Sequence, residues 1–130
     1  MLNQKLAAAV TALGAFLATT PAPAQTSKSG ERDYVRYCAL CHGLEGTGLG
    51  PLAEAMKAAP ANLTLIARRH GGKFPGDYVK QVIANGGGIK GHGSTAMLAW
   101  GAFFSDEPGL GSPDARIDAL THYIERLQTP

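Results

Sequence analysis

The chain has 130 residues, a formal charge of +2 and only two cysteines. One domain accounts for that length, and so small a charge excludes a nucleic-acid binder, which would carry a strongly basic domain. A single cysteine pair is too few for a structural zinc site, which typically needs two such pairs.

The opening "MLNQKLAAAVTALGAFLATTPAPAQ" places one cation, Lys5, before an uncharged apolar run over residues 6–18, then a small-residue exit at Ala22-Pro23-Ala24. This is the layout of a secretory signal. The apolar run is shorter than the ~20 residues that span a bilayer. Residues 1–24 are expected to be a signal peptide removed after Ala24, leaving an exported, soluble, periplasmic domain over 25–130. Removal of Lys5 lowers the formal charge by one.

No alternating apolar pattern marks a strand, and helical periodicity recurs instead. A first helix is predicted over about 30–40, with Tyr34, Tyr37, Cys38 and Cys41 at three-to-four spacing. A short second one runs over 63–69, capped by Asn62 and ended before Gly71. A third follows Pro75, with Tyr78, Val79, Val82 and Ile83 as its apolar stripe and Gly86 as its stop. The last is the clearest. Ser112 caps it, Pro113 suits the first helical position, Asp114 complements the dipole, and Ile117, Leu120, Tyr123, Ile124 and Leu127 form the buried face. Gly-rich connections, "GLEGTGLGP" over 43–51 and "NGGGIKGHGSTAM" over 85–97, separate these helices. Four modest helices supply little core, and small domains in that position borrow it from a metal or cofactor. The charges are uneven. Six Lys and Arg oppose Asp77 alone between Lys57 and Lys90, and five acids oppose Arg116 between Asp106 and Glu125. Such a bias reads either as a solvated face or as a docking patch.

The stretch "YCALCHG" over 37–43 carries the chemistry. A Cys38–Cys41 disulfide would close a tiny loop and leave His42 unexplained, and a thioredoxin-type pair belongs beside strands. One reading uses all three side chains. Two thiols spaced by two residues each add to a haem vinyl group, and the adjacent histidine supplies an axial nitrogen. Export agrees with this chemistry, which takes place outside the cytoplasm. For the sixth ligand, Met56 falls in a predicted helix and suits the core. Met97 falls in the Gly-rich loop, where the chain can cross the opposite haem face, and a methionine there raises the potential. His92, in the same loop, is the rival and would give a bis-histidine site. His70 and His122 read as surface residues.

With these residues in place, the sequence resembles a class I cytochrome c of the bacterial, monohaem kind over nearly all of residues 25–130. "CALCHGLEGTGLGP" resembles the haem-binding segment, "PANLTLIARRHGGKFP" the middle of such domains, "GHGSTAMLAWGAFF" the methionine-ligand loop and "ARIDALTHYIERL" the terminal helix. The resemblance implies an all-α domain wrapped around one haem c, with Gly30 and Tyr34 meeting the last helix near Leu120 and Tyr123. It implies that the Pro51 carbonyl accepts a hydrogen bond from His42, and that Trp100 lies near the haem edge or a propionate, although plain core suits Trp100 equally. Leu98 departs from the family, which often has proline directly after the methionine.

The expected function is one-electron transfer with no substrate transformed: haem held through Cys38 and Cys41, axial His42 and Met97, and redox proteins as donor and acceptor. The alternatives are a cytochrome subunit of a dehydrogenase or oxidase complex, and a haem-based ligand sensor in which Met97 leaves the iron open.

Overall fold

The computed structural model describes residues 23–88, 97–107 and 110–130, and these contain helices and turns and no strand. Residues 1–22 of the expected 1–24 signal peptide, and His92, therefore lie outside the described residues. Helix α1 (Pro23–Asp33) runs through a π-helical segment (Tyr34–Cys38) into α2 (Ala39–His42). A single 3₁₀ turn over Leu63–Leu65 leads into α3 (Ile66–Arg69). Then come α4 (Gly76–Asn85), α5 (Trp100–Ser105) and α6 (Pro113–Arg126). No helix among the described residues is long and apolar enough to cross a membrane.

Local sequence explains most of these boundaries. The Ser112 hydroxyl accepts from the Ala115 amide at 3.3 Å, with Pro113 opening α6 and Asp114 in its first turn, as predicted. The Asn62 carboxamide accepts from the Thr64 amide at 3.0 Å. Gly86, at φ +72°, ends α4. The first helix is longer than its periodicity indicated. It starts at Pro23, so the expected cleavage point after Ala24 falls in its first turn. The π-helical segment, in which the Ala39 amide bonds the Tyr34 carbonyl, lets it continue to His42. Such a segment inserts an extra residue and rotates the next helical turn by about 100°.

The core lies where α1 crosses α6. Tyr34 and Leu120 are fully buried, joined by Ala39, Val79, Ile83, Phe104, Ile117 and Ile124. Gly30 makes the crossing possible: a methyl group there would overlap the Ala119 carbonyl oxygen, lie 2.7 Å from its carbon and 3.2 Å from Tyr123 Cβ. The rings of Tyr34 and Tyr123 stack at 4.9 Å. The first and last helices thus meet through the residues the sequence singled out.

Two features were not anticipated. Residues 100–105 form a helix where a loop was expected. Met56 is not helical: it lies after a 3₁₀ turn over Ala53–Ala55 in an extended conformation.

Candidate haem site

The site is built at the C-terminal end of the first helix. Cys38 and Cys41 sit one turn apart, both half-buried and both free thiols. Burial, reinforced by the nearby Asp33 and Cys41, pushes the Cys38 thiol up to about 12. Among the described residues no group of three or more His, Cys, Asp or Glu side chains could hold a bare metal ion.

His42 comes directly after Cys41. Its Nδ1 lies 2.9 Å from the Ala61 carbonyl oxygen. A carbonyl oxygen only accepts, so Nδ1 carries the proton and Nε2 presents a lone pair. Burial pushes the imidazole below its ordinary value, which favours this neutral, ligating form. The acceptor expected from the family pattern was Pro51, and that assignment is corrected. Pro51 is exposed in a turn, while the chain loops back through Pro60 to set Ala61 against the ring. The acceptor lies nineteen residues from His42, and no local signal marks it.

The Gly-rich connection over 43–51 holds this turn in place. Helix ends leave carbonyl groups without partners. Here Gly48, Gly50 and Leu52 donate their amides to the carbonyls of His42, Cys41 and Leu40, at 2.8, 3.1 and 3.0 Å. Gly50 must be a glycine, because a methyl group would sit 2.5 Å from the Leu40 carbonyl oxygen. From below, the buried Tyr34 hydroxyl donates to the Gly43 carbonyl at 2.7 Å. The helix crossing and the turn that carries Cys41 and His42 therefore share a residue.

Met97 is half-buried and packs on the same core as Cys38 and Trp100. Its carbonyl accepts from the Gly87 amide at 3.2 Å, and a side chain at Gly86 would strike that carbonyl at 2.5 Å. The glycines that end α4 thus pin the Met97 backbone. Leu98, where proline was expected, is 61% exposed. Trp100 belongs to an aromatic cluster, its ring 5.3 Å from Tyr37, 5.3 Å from Phe103 and 5.8 Å from Phe104.

Sequence reasoning missed a buried charge network beside this cluster. The Arg116 Nε donates to Asp33 at 2.8 Å, and one terminal nitrogen donates to Glu107 at 3.0 Å. Asp33 is 1% and Arg116 3% exposed. The signal that could have found them is register. Asp33 lies three residues from Gly30, and Arg116 lies four from Leu120, so each occupies its helix's buried stripe. Part of the acidic excess after residue 106 is therefore spent internally, and Lys80 pairs with Asp118 at 2.7 Å across α4 and α6.

The donor set fits a c-type haem: two thiols one turn apart, an imidazole whose outer nitrogen is open, and a thioether on the same core. A helical shell, strandless among the described residues, carrying that set defines a cytochrome c domain, whose function is haem-based electron transfer. A family model described as "Cytochrome C oxidase, cbb3-type, subunit III" matches residues 25–124, and the chain belongs to that family. No curated protein matches the chain.

Proposed function

We propose that the chain is an exported, periplasmic one-electron carrier holding a single haem c, covalently bound through Cys38 and Cys41, with His42 and Met97 as axial ligands. The observation that carries this reading is the orientation of His42. Its Nδ1 proton is committed to Ala61, which leaves Nε2 for the iron, one residue from a thiol pair with the spacing of two haem vinyl groups.

Haem, when bound, supplies an iron that gains and loses one electron. The protein's part is to fix the ligands and exclude water. Ala61 sets the tautomer and raises the basicity of His42. Gly48, Gly50 and Leu52 hold the attachment turn rigid. Met97 would offer a soft, neutral donor that favours Fe(II), and His42 and Met97 holding the iron together would leave it no open position for a substrate. Trp100 packs with Tyr37, Phe103 and Phe104 into an aromatic cluster on the same core as Met97. Donor and acceptor are redox proteins that dock transiently.

A second reading, a subunit of an oxidase complex, is favoured by the family description and by exposed leucines around the attachment turn. Leu44 is 67% and Leu49 82% exposed. The test is expression with the natural leader in a host that matures c-type cytochromes. A carrier should keep its haem through denaturing electrophoresis, show a reversible one-electron titration, and be recovered from periplasm as a monomer. Haem lost on denaturation refutes the covalent site. Recovery only with membranes, together with an oxidase, selects the subunit.

A further inference from the structure

The segment that carries Met97 is fastened at both ends. One fastening is the glycine clamp at its start, where Gly87 bonds the Met97 carbonyl. The other is ten residues on. Glu107 receives the Tyr37 hydroxyl on both carboxylate oxygens, at 2.9 and 2.7 Å, and Arg116 at 3.0 Å. Arg36 adds a looser pairing at 3.6 Å. Arg116 cannot swing away, because Asp33 holds its Nε and its guanidinium lies 3.8 Å over the Phe104 ring of α5. Tyr37 grips the same helix by its ring, against Trp100, Phe103 and Phe104. Tyr37 is also the residue directly before Cys38. Any movement of α5 is therefore a movement relative to the attachment turn.

We propose that Tyr37, Glu107 and Arg116 form a latch that holds the Met97-bearing segment against the haem-attaching helix and so sets how readily Met97 yields the sixth position to another ligand. These are positioning residues, since none of them touches the iron. The inference rests on Met97 as axial ligand. The physical basis is linkage. An incoming ligand takes the iron only in the fraction of molecules whose methionine segment has opened, so the free energy of opening enters its apparent affinity directly. Hydrogen bonds to a charged group are among the stronger ones, and two donors converge on Glu107: the Tyr37 hydroxyl, shared between both oxygens, and Arg116.

The test uses purified ferric holoprotein titrated with imidazole, with urea unfolding measured in parallel. Tyr37→Phe deletes only the hydroxyl, and Glu107→Gln keeps the shape while removing the charge. Gln128→Ala is the control at the other end of α6: it loses bonds to the Leu63 and Ile124 carbonyls and to the Ala67 amide, and so costs stability away from the latch. The latch predicts imidazole binding about tenfold tighter in Tyr37→Phe and Glu107→Gln, with Gln128→Ala matching the parent despite its lower stability. Affinities in the two latch variants equal to the parent's, or an equal rise in Gln128→Ala, overturn it. Met97→Ala separates the two ideas. If it binds imidazole no more tightly than the parent, the ligand assignment falls, and the latch falls with it.

Discussion

Gly30→Ala is the sharpest perturbation of the frame that carries the site. The added methyl would overlap the Ala119 carbonyl oxygen and lie 2.7 Å from its carbon. The obstacle is helix backbone, which cannot rotate aside, so α1 and α6 must part by roughly 1 Å. A gap of that size forfeits a quarter to a half of the contact energy across it. The side chains that lose it are Tyr34 and Leu120, both fully buried, each worth about 1.5–3 kcal/mol by burial. Adding distortion of the Tyr34 bond to Gly43, the cost is about 2–4 kcal/mol. For a domain of this size that lowers Tm by about 10 °C or more. Urea unfolding of the holoprotein, tracked by helical circular dichroism and by the haem spectrum, measures it. Gly76→Ala is the comparison. Nothing lies within 4 Å of its added methyl, which should be neutral or stabilising by up to about 1 kcal/mol. A Gly30→Ala protein within about 0.5 kcal/mol of the parent would refute the close-crossing argument.

The same contacts predict other outcomes. Asp33→Ala leaves the Nε of the buried Arg116 without its carboxylate, Glu107 still holding the far end, and should cost about 3 kcal/mol in the same unfolding assay. Tyr34→Phe removes one of two donors to the Gly43 carbonyl, the Gly46 amide remaining at 3.2 Å, and should cost about 0.5–1.5 kcal/mol while haem stays attached, as read by mass spectrometry. Cys38→Ala or Cys41→Ala should leave one thioether and a poor yield of holoprotein, visible by haem staining. The Tyr37 hydroxyl, then Arg116, hold the Glu107 carboxyl below its usual value. A depressed carboxylate stabilises the fold above its unfolded pKa, and that contribution is lost as pH falls through the folded one. Below the ordinary value of 4.5 the parent should therefore lose stability in a step that Glu107→Gln lacks.

What the sequence made legible is local chemistry. Ser112-Pro113-Asp114 announces α6, Gly86 stops α4, and the CxxCH run names its own cofactor. What it hid is pairing at long range. Ala61 meets His42 across nineteen residues, and Asp33 meets Arg116 across eighty-three. Helix α5 was hidden because "WGAFFS" is short and no side chain caps it. It is held by Tyr37 and Phe104 packing that only the folded chain assembles. Pro51 failed for a related reason: a family pattern fixes that some carbonyl faces the histidine, while the length of this chain's loop decides which one.

Carbon monoxide binding to the ferrous protein tests the central claim, a haem closed on both faces by His42 and Met97. The parent is expected to resist carbon monoxide at neutral pH, and Met97→Ala, with haem still covalently attached, to bind one equivalent readily and show a lower reduction potential. Ready binding by the parent with Met97 intact contradicts this and makes the protein a ligand sensor.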